Sequence, residues 1–453
     1  MSNLRRIAGL EIEYGITHVG PQALSAEAAA AELFADPELE RGANMFLPNG
    51  ARLYLDVGAH PEYATAECAT LQELLNNDRA GSELLAALAA RATARLQARG
   101  VAGNIHLLRN NLDAEGTSFG CHENYLLRRR HDFHERVLGL VTHLVTRQVI
   151  TGTGHVVCDP TPRYVLSQRA AVVSDVISAA TSRSRPLINT RDEPHADIAQ
   201  FRRLHLINAD TPMAEGTQLI LLAAACLLVT ALESGARLAD LALADPLAAL
   251  HTVSAQPATV LELANGQRRT ALELQAELVE RTGSLAAADA DPWVRLGHEL
   301  WAIAVEALRA ENAAAVADLL DHVAKRRLLE RHCQRHGVDL AHPTTARLAF
   351  AYHDIGNTGL RQQLEARGML RRFTTPSEVT AAKNTPPATR AALRGEAVSV
   401  ARQMRRDLAV DWTSLRILDR SLSAITLKDP WQTQNPEVEQ LLTELRRTEV
   451  MPV

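Results

Sequence analysis

Apolar and polar side chains alternate at a period of two along several short segments in the first half of the chain. Residues 7–16, 51–57, 104–108, 123–127 and 203–207 carry this pattern, which predicts strands with one face buried. Helical spacing interrupts them at 25–35 and again at 82–99. In the second stretch Leu84, Leu85, Leu88, Ala92 and Leu96 recur and Gly100 supplies a stop. From 215 to 335 the pattern is nearly all helix. Its longest apolar run, 219–232, falls short of the ~20 residues a membrane span needs, so it predicts a buried helix and no membrane partner. Strands gathered ahead of helices predict an α+β fold rather than a repeating βαβ unit.

Asn384-Thr385-Pro386-Pro387 interrupts the last quarter, because consecutive prolines stop helices. Beyond it the pattern predicts a helix over 388–406 and strands at 410–418 and 423–427. A chain of 453 residues is long for one core. The division that follows is a large domain over 1–380 and a small C-terminal domain over 381–453.

Composition narrows the function. Hydrophobic content of 46% with 22% charged residues is that of a globular protein. A formal net charge of −5 argues against nucleic acid as the main partner. The five cysteines, Cys68, Cys121, Cys158, Cys226 and Cys333, form no C-x-x-C pair. That spread predicts a reduced, cytoplasmic setting, and the first residues lack the pattern of a signal peptide.

Candidate chemistry begins at Arg52-Leu53-Tyr54-Leu55-Asp56-Val57. Strand geometry puts Arg52, Tyr54 and Asp56 on one face and Leu53, Leu55 and Val57 on the other. The polar face fits either a solvated edge or a site. Glu11 and Glu13 likewise share a face, where two carboxylates repel unless a cation or base neutralises them. Magnesium is the natural candidate, since hard cations take oxygen ligands. The polar run from His60 to Cys68 follows closely, and a turn near Gly58 and Pro61 would bring Glu62 back toward the first strand.

Further clusters hold His122, His205 and Arg191. The two histidines join Glu13 as candidate metal ligands, and the planar fork of Arg191 suits a phosphate. Gly116-Thr117-Ser118-Phe119-Gly120 fits G-x-S-x-G, but its flanks lack the strand and helix of a nucleophile elbow. Gly152-Thr153-Gly154 lacks a dinucleotide fingerprint's third glycine, and there is no P-loop.

Gly9 to Gly15, Asn49 to Gly58, His60 to Cys68, Gly120 to Leu126 and Asn189 to Asp197 together resemble the Pup ligase and Pup deamidase/depupylase family. The likeness continues through Ala351-Tyr352-His353-Asp354-Ile355, Arg394-Gly395-Glu396 and Val410-Asp411-Trp412. The resemblance implies a glutamine synthetase-like fold: a curved antiparallel sheet forming a cradle, helices behind it, and a small C-terminal α/β domain. It implies ATP and Mg²⁺ as cofactors, and Pup and lysine-bearing target proteins as partners. It places Glu11, Tyr54 and Glu62 at magnesium, Asp56 as catalytic base, and Arg52, Thr65 and Trp412 at the nucleotide. Tyr54 is chemically the weakest ligand of these, being a neutral phenol at pH 7. Within the family, the short 17–44 stretch points to the ligase branch, whereas the threonine in the run Thr151-Gly152-Thr153-Gly154 points to the deamidase branch. A small-molecule glutamate–amine ligase is a further alternative.

Overall fold

The computed structural model describes residues 6–39, 42–113, 115–158, 161–179, 185–356, 359–419 and 423–447. The extreme N-terminal residues used above to weigh a signal peptide lie outside this set up to residue 5. An eight-stranded sheet organises the molecule, in the spatial order Asp175–Ser178, Pro186–Asn189, Phe201–Leu206, Cys121–Arg128, Ala8–Glu13, His60–Ala64, Arg52–Asp56 and Asn44–Phe46. All neighbours are antiparallel except Asp175–Ser178 against Pro186–Asn189, which run parallel at one edge. The sheet is therefore mixed, a departure from the all-antiparallel expectation.

The period-two segment at 7–16 is two strands rather than one. After Ala8–Glu13 the chain leaves the main sheet at the buried Tyr14, and Gly15–Val19 pairs with Asn104–Leu108 in a separate two-stranded sheet. Helices pack on the face of the main sheet that carries Leu10, Ile12, Leu53 and Tyr63, all essentially inaccessible. The Leu71–Ala98 helix begins well before the predicted start. Thr70 and Glu73 form a capping box there, each side chain bonding the other's backbone N–H. The polar run Asn77-Asp78-Arg79 hides its helical period, because it is buried against polar partners from elsewhere in the chain. Arg109 grips Asp78 at 2.7 Å, and Tyr63 donates to Asn77 at 3.2 Å.

Glu215–Ser234 is 20 residues long and apolar enough to cross a membrane by composition, yet 94% of its apolar window is buried inside the protein. It closes at Gly235 in the left-handed region. The helical reading from 215 missed one hairpin, Val260–Glu262 with Arg268–Thr270, turned at Asn265-Gly266. At the C-terminal end the Arg390–Met404 helix, a three-stranded sheet (Leu408–Asp411, Ser414–Ile417, Ile425–Thr426) and the unpredicted Pro436–Arg446 helix share their own apolar cluster. Leu393, Leu415, Ile417, Leu427 and Leu441 fill it, apart from the main core.

Candidate active site

The strand register decides which side chains meet. Tyr54 lies opposite Glu62, and Glu62 opposite Glu13. Arg52 lies opposite Ala64, Ala64 opposite Glu11, and Glu11 opposite His122; further along, Asn124 pairs with His205. The face away from the helices thus gathers charge from five strands. A tight turn at Val57-Gly58-Ala59 makes this possible. Gly58 at φ 84° and Ala59 at φ 61° reverse the chain so that His60–Ala64 returns beside Arg52–Asp56. Pro61 fits within that strand, its carbonyl accepting from the Tyr14 backbone N–H at 2.9 Å.

Two ligand clusters result: Glu11, His122 and His205 in one, and Glu13, Asp56 and Glu62 in the other. In each, the potential ligand atoms all lie within 4.8 Å of one another. His122 stands between them, with Nδ1 3.2 Å from Glu11 Oε2 and Nε2 3.8 Å from Glu13 Oε1. Asn124 donates to Glu11 from Nδ2 at 3.1 Å.

Burial dominates the electrostatics. It pushes the Glu62 carboxyl well above its ordinary range, and the charges of Glu11, Glu13 and Asp56 add to the rise. Burial acts against ionisation of Glu11 too, but the hydrogen bond with His122, together with the positive charge of Arg203, outweighs it and holds that carboxyl low. His205 is held down to about 3 by burial, so it is a neutral imidazole at neutral pH. Neither of its ring nitrogens has a hydrogen-bond partner among the described residues.

This arrangement has the chemistry of a cation donor set. Three crowded carboxylates and a buried imidazole with two free nitrogens fit divalent metal, the all-oxygen cluster suiting a hard ion such as magnesium. Tyr54 meets this set through a hydrogen bond. Its phenol donates a hydrogen bond to Glu62 Oε1, and burial followed by the Glu62 charge raises its ionisation further.

A cavity opens beside Glu11, bounded by Gly9, Thr65, His195, Arg203, Trp412 and Pro430 among others. Thr65 Oγ1 accepts from the Leu10 backbone N–H at 2.9 Å. The Trp412 ring stands edge-on to Phe46 at 5.0 Å and beneath the Arg394 guanidinium at 4.9 Å. Arg52 lies over the Tyr54 ring at 4.5 Å, with Nε donating to Asn44 at 2.9 Å. It borders a neighbouring recess rather than this cavity. Arg191 sits apart at the rim: its side chain is 58% exposed and paired with Glu193 at 2.8 Å.

Several residues at the site were not singled out from the sequence. His60 approaches Glu13 at 3.9 Å and stacks against Phe119 at 4.7 Å. Its parity with Glu62 on the returning strand was the available signal. Glu67 is gripped by Arg390 at 2.7 Å and by Arg394, and Arg390 also donates to the carbonyls of His195 and Leu427. Glu67 and its two arginines are more than 300 residues apart, so no local pattern could link them. Ser118 is bound by the buried Arg169 at 2.5 Å, on a loop with neither strand before it nor helix after it, and forms no nucleophile elbow.

Comparison with known proteins bears directly on this geometry. Residues 6–416 match the family model described as Pup-ligase protein. The chain belongs to the Pup-ligase family. Among its relatives, the Pup--protein ligase of Sanguibacter keddieii is 43% identical, covering 97% of this chain and 99% of the relative. That of Kocuria rhizophila is 44% identical, covering 97% and 98%. A crystal structure of the complex between Pup and its ligase PafA superposes with a TM-score of 0.91 at 35% identity, over 97% of this chain and 91% of that one. PafA in complex with ADP superposes at 0.84 and 34% identity, over 94% and 95%. The fold of this Pup-ligase family member is thus the α+β arrangement that the sequence motifs imply.

Proposed function

We propose that this chain uses ATP to join the C-terminal glutamate of Pup, through its γ-carboxylate, to the ε-amine of a lysine on a target protein. The observation that carries the reading is the continuity of one sheet face: a cavity at Trp412 and Thr65 runs to Glu11, and Glu11 leads on to the Glu13–Asp56–Glu62 cluster. Activation and amine attack can therefore occur side by side. The branch follows the relatives, which are Pup ligases, and the deamidase reading suggested by the run Thr151-Gly152-Thr153-Gly154 is not favoured.

A carboxylate is a poor electrophile, so ATP converts it to a γ-glutamyl phosphate with a good leaving group. Glu11, His122 and His205, with Glu13 and Glu62 beyond them, would hold magnesium, which neutralises phosphate charge when bound. Tyr54 keeps Glu62 oriented by its hydrogen bond. Arg52, Thr65 and Trp412 hold the nucleotide, with Arg191 at the rim. Asp56 takes the proton from the incoming lysine ammonium, freeing the nitrogen lone pair to attack the acyl phosphate. The unit over 381–453 acts as a small domain that brings Trp412 to the cavity, supported by its separate apolar cluster. A cytoplasmic setting is supported by cysteines that are all unpaired.

The test is incubation with ATP, magnesium, Pup ending in glutamate and a lysine-bearing protein. The expected product is a conjugate of the two proteins less one water, with ADP released in equal amount. Cleavage of a preformed conjugate with no conjugate formed would overturn the reading.

A further inference from the structure

His332 and His336 lie four positions apart at the end of the Asp321–His336 helix, so their imidazoles share one helix face. The rings stand 4.6 Å apart between centroids and are tilted by 44°. His332 is partly exposed and His336 exposed, which leaves both open to a dissolved ion. Neither belongs to the two ligand clusters on the sheet, and the reaction above uses neither. Arg331 and Arg335 each precede a histidine by one position, about 100° around the helix, and so sit on a neighbouring face. Cys333 directs its thiol to Thr345 Oγ1 at 3.7 Å.

Hydrogen bonds from the next helix decide which ring nitrogens are free. His342 caps the Pro343–Ala351 helix: its Nδ1 accepts from the Thr344 backbone N–H at 3.3 Å and lies 2.8 Å from the Thr344 hydroxyl. An unprotonated Nδ1 makes that hydroxyl the donor. With its one hydrogen used there, Thr344 Oγ1 accepts from His332 Nε2, 2.9 Å away. His332 is therefore held as the Nε2–H tautomer, and its Nδ1 lone pair has no partner among the described residues. His336 makes no hydrogen bond among them either. Metal-binding histidines have this support: one ring N–H anchored by an outer hydrogen bond, the other nitrogen left bare.

We propose that His332 and His336 chelate one divalent ion of the zinc, copper and nickel class at the C-terminal end of this helix, apart from the two clusters on the sheet. Two imidazoles at this spacing suit such borderline ions, whereas magnesium takes oxygen ligands. Water fills the remaining positions. The partial negative charge of the helix C-terminus favours the cation. Because Thr344 orients His332, the ion ties the last turn of one helix to the first turn of the next. None of these groups takes part in the proposed ligation, so the site stands or falls apart from it.

Zinc chloride is titrated calorimetrically into the chelator-treated full chain in buffer containing excess magnesium. Zinc taken by the Glu11 cluster is common to parent and variants, so the difference between them reads the helix site. The parent is expected to bind one more zinc ion than His336→Ala or His332→Gln, with a dissociation constant on the order of 10 µM. Thr344→Val removes the outer hydrogen bond but keeps both ligands, and should weaken that step about tenfold or more. His342→Asn keeps the helix cap and both ligands, and should stay within about threefold of the parent. Thermal unfolding confirms that each variant folds. Equal zinc stoichiometry in parent and His336→Ala, unaltered affinity in Thr344→Val, or a loss in His342→Asn matching that in His336→Ala would overturn the assignment.

Discussion

Tyr54 donates its phenolic hydrogen to Glu62, the residue directly opposite it on the neighbouring strand. The pair ties the phenol to a carboxylate of the proposed cation site. Burial and the Glu62 charge keep Tyr54 neutral, so it acts as a donor that fixes the carboxylate. Tyr54→Phe is expected to fold normally, to need more magnesium for half-maximal rate, and to conjugate some 10–100 times more slowly. A magnesium titration of conjugation checks this, and an unchanged half-saturation point would detach the phenol from the metal site.

Asp56 stands in the cluster with Glu13 and Glu62 and is also the proposed proton acceptor, so the two roles need separating. As proton acceptor, Asp56→Asn should retain nucleotide affinity while conjugation falls about 10²–10⁴-fold. Calorimetry with ADP and magnesium supplies the control. Loss of magnesium-dependent nucleotide binding would make Asp56 a cation ligand instead.

The opposite face of the same strand carries stability rather than chemistry. Leu53 is fully buried, whereas Leu55 is only partly so. Leu53→Ala should cost about 2–5 kcal/mol in urea unfolding and leave turnover per folded molecule near that of the parent. Leu55→Ala should cost clearly less. A large activity loss in folded Leu53→Ala would contradict the division of faces.

Glu67 joins the sheet to the C-terminal unit through Arg390 and Arg394. Glu67→Gln leaves two buried guanidiniums uncompensated and should cost about 3 kcal/mol. Burial alone would raise the Glu67 carboxyl, but the two arginines hold it at about 2, below its ordinary 4.5. Unfolding therefore takes up a proton in acid. The stabilisation is complete above the unfolded value and disappears as pH falls toward 2. Parent and variant unfolding curves should converge over that window; a constant gap would refute the linkage.

Local pattern was a good guide wherever one face meets oil and the other meets water. The strands at Arg52–Asp56, Asn104–Leu108 and Phe201–Leu206 follow their period-two signal closely. It misled where tertiary partners replaced solvent. At Leu71–Ala98 the inward Asp78 is satisfied by Arg109, so polarity there did not mean exposure. At Tyr14 alternation runs on unbroken while the chain changes sheets, because parity carries no information about which strand lies alongside.

The candidate site divides in the same way. Alternation alone puts Arg52, Tyr54 and Asp56 on one face, and Glu11 with Glu13 on another, since successive strand side chains point to opposite sides. Register decided the partners. Glu11 and Glu13 stand two residues apart, about 6.6 Å along the strand, and each faces a different neighbour across it. Glu11 therefore falls to His122 and His205, and Glu13 to Asp56 and Glu62. Those neighbours come from strands up to almost two hundred positions away, and only long-range backbone pairing brings them into reach.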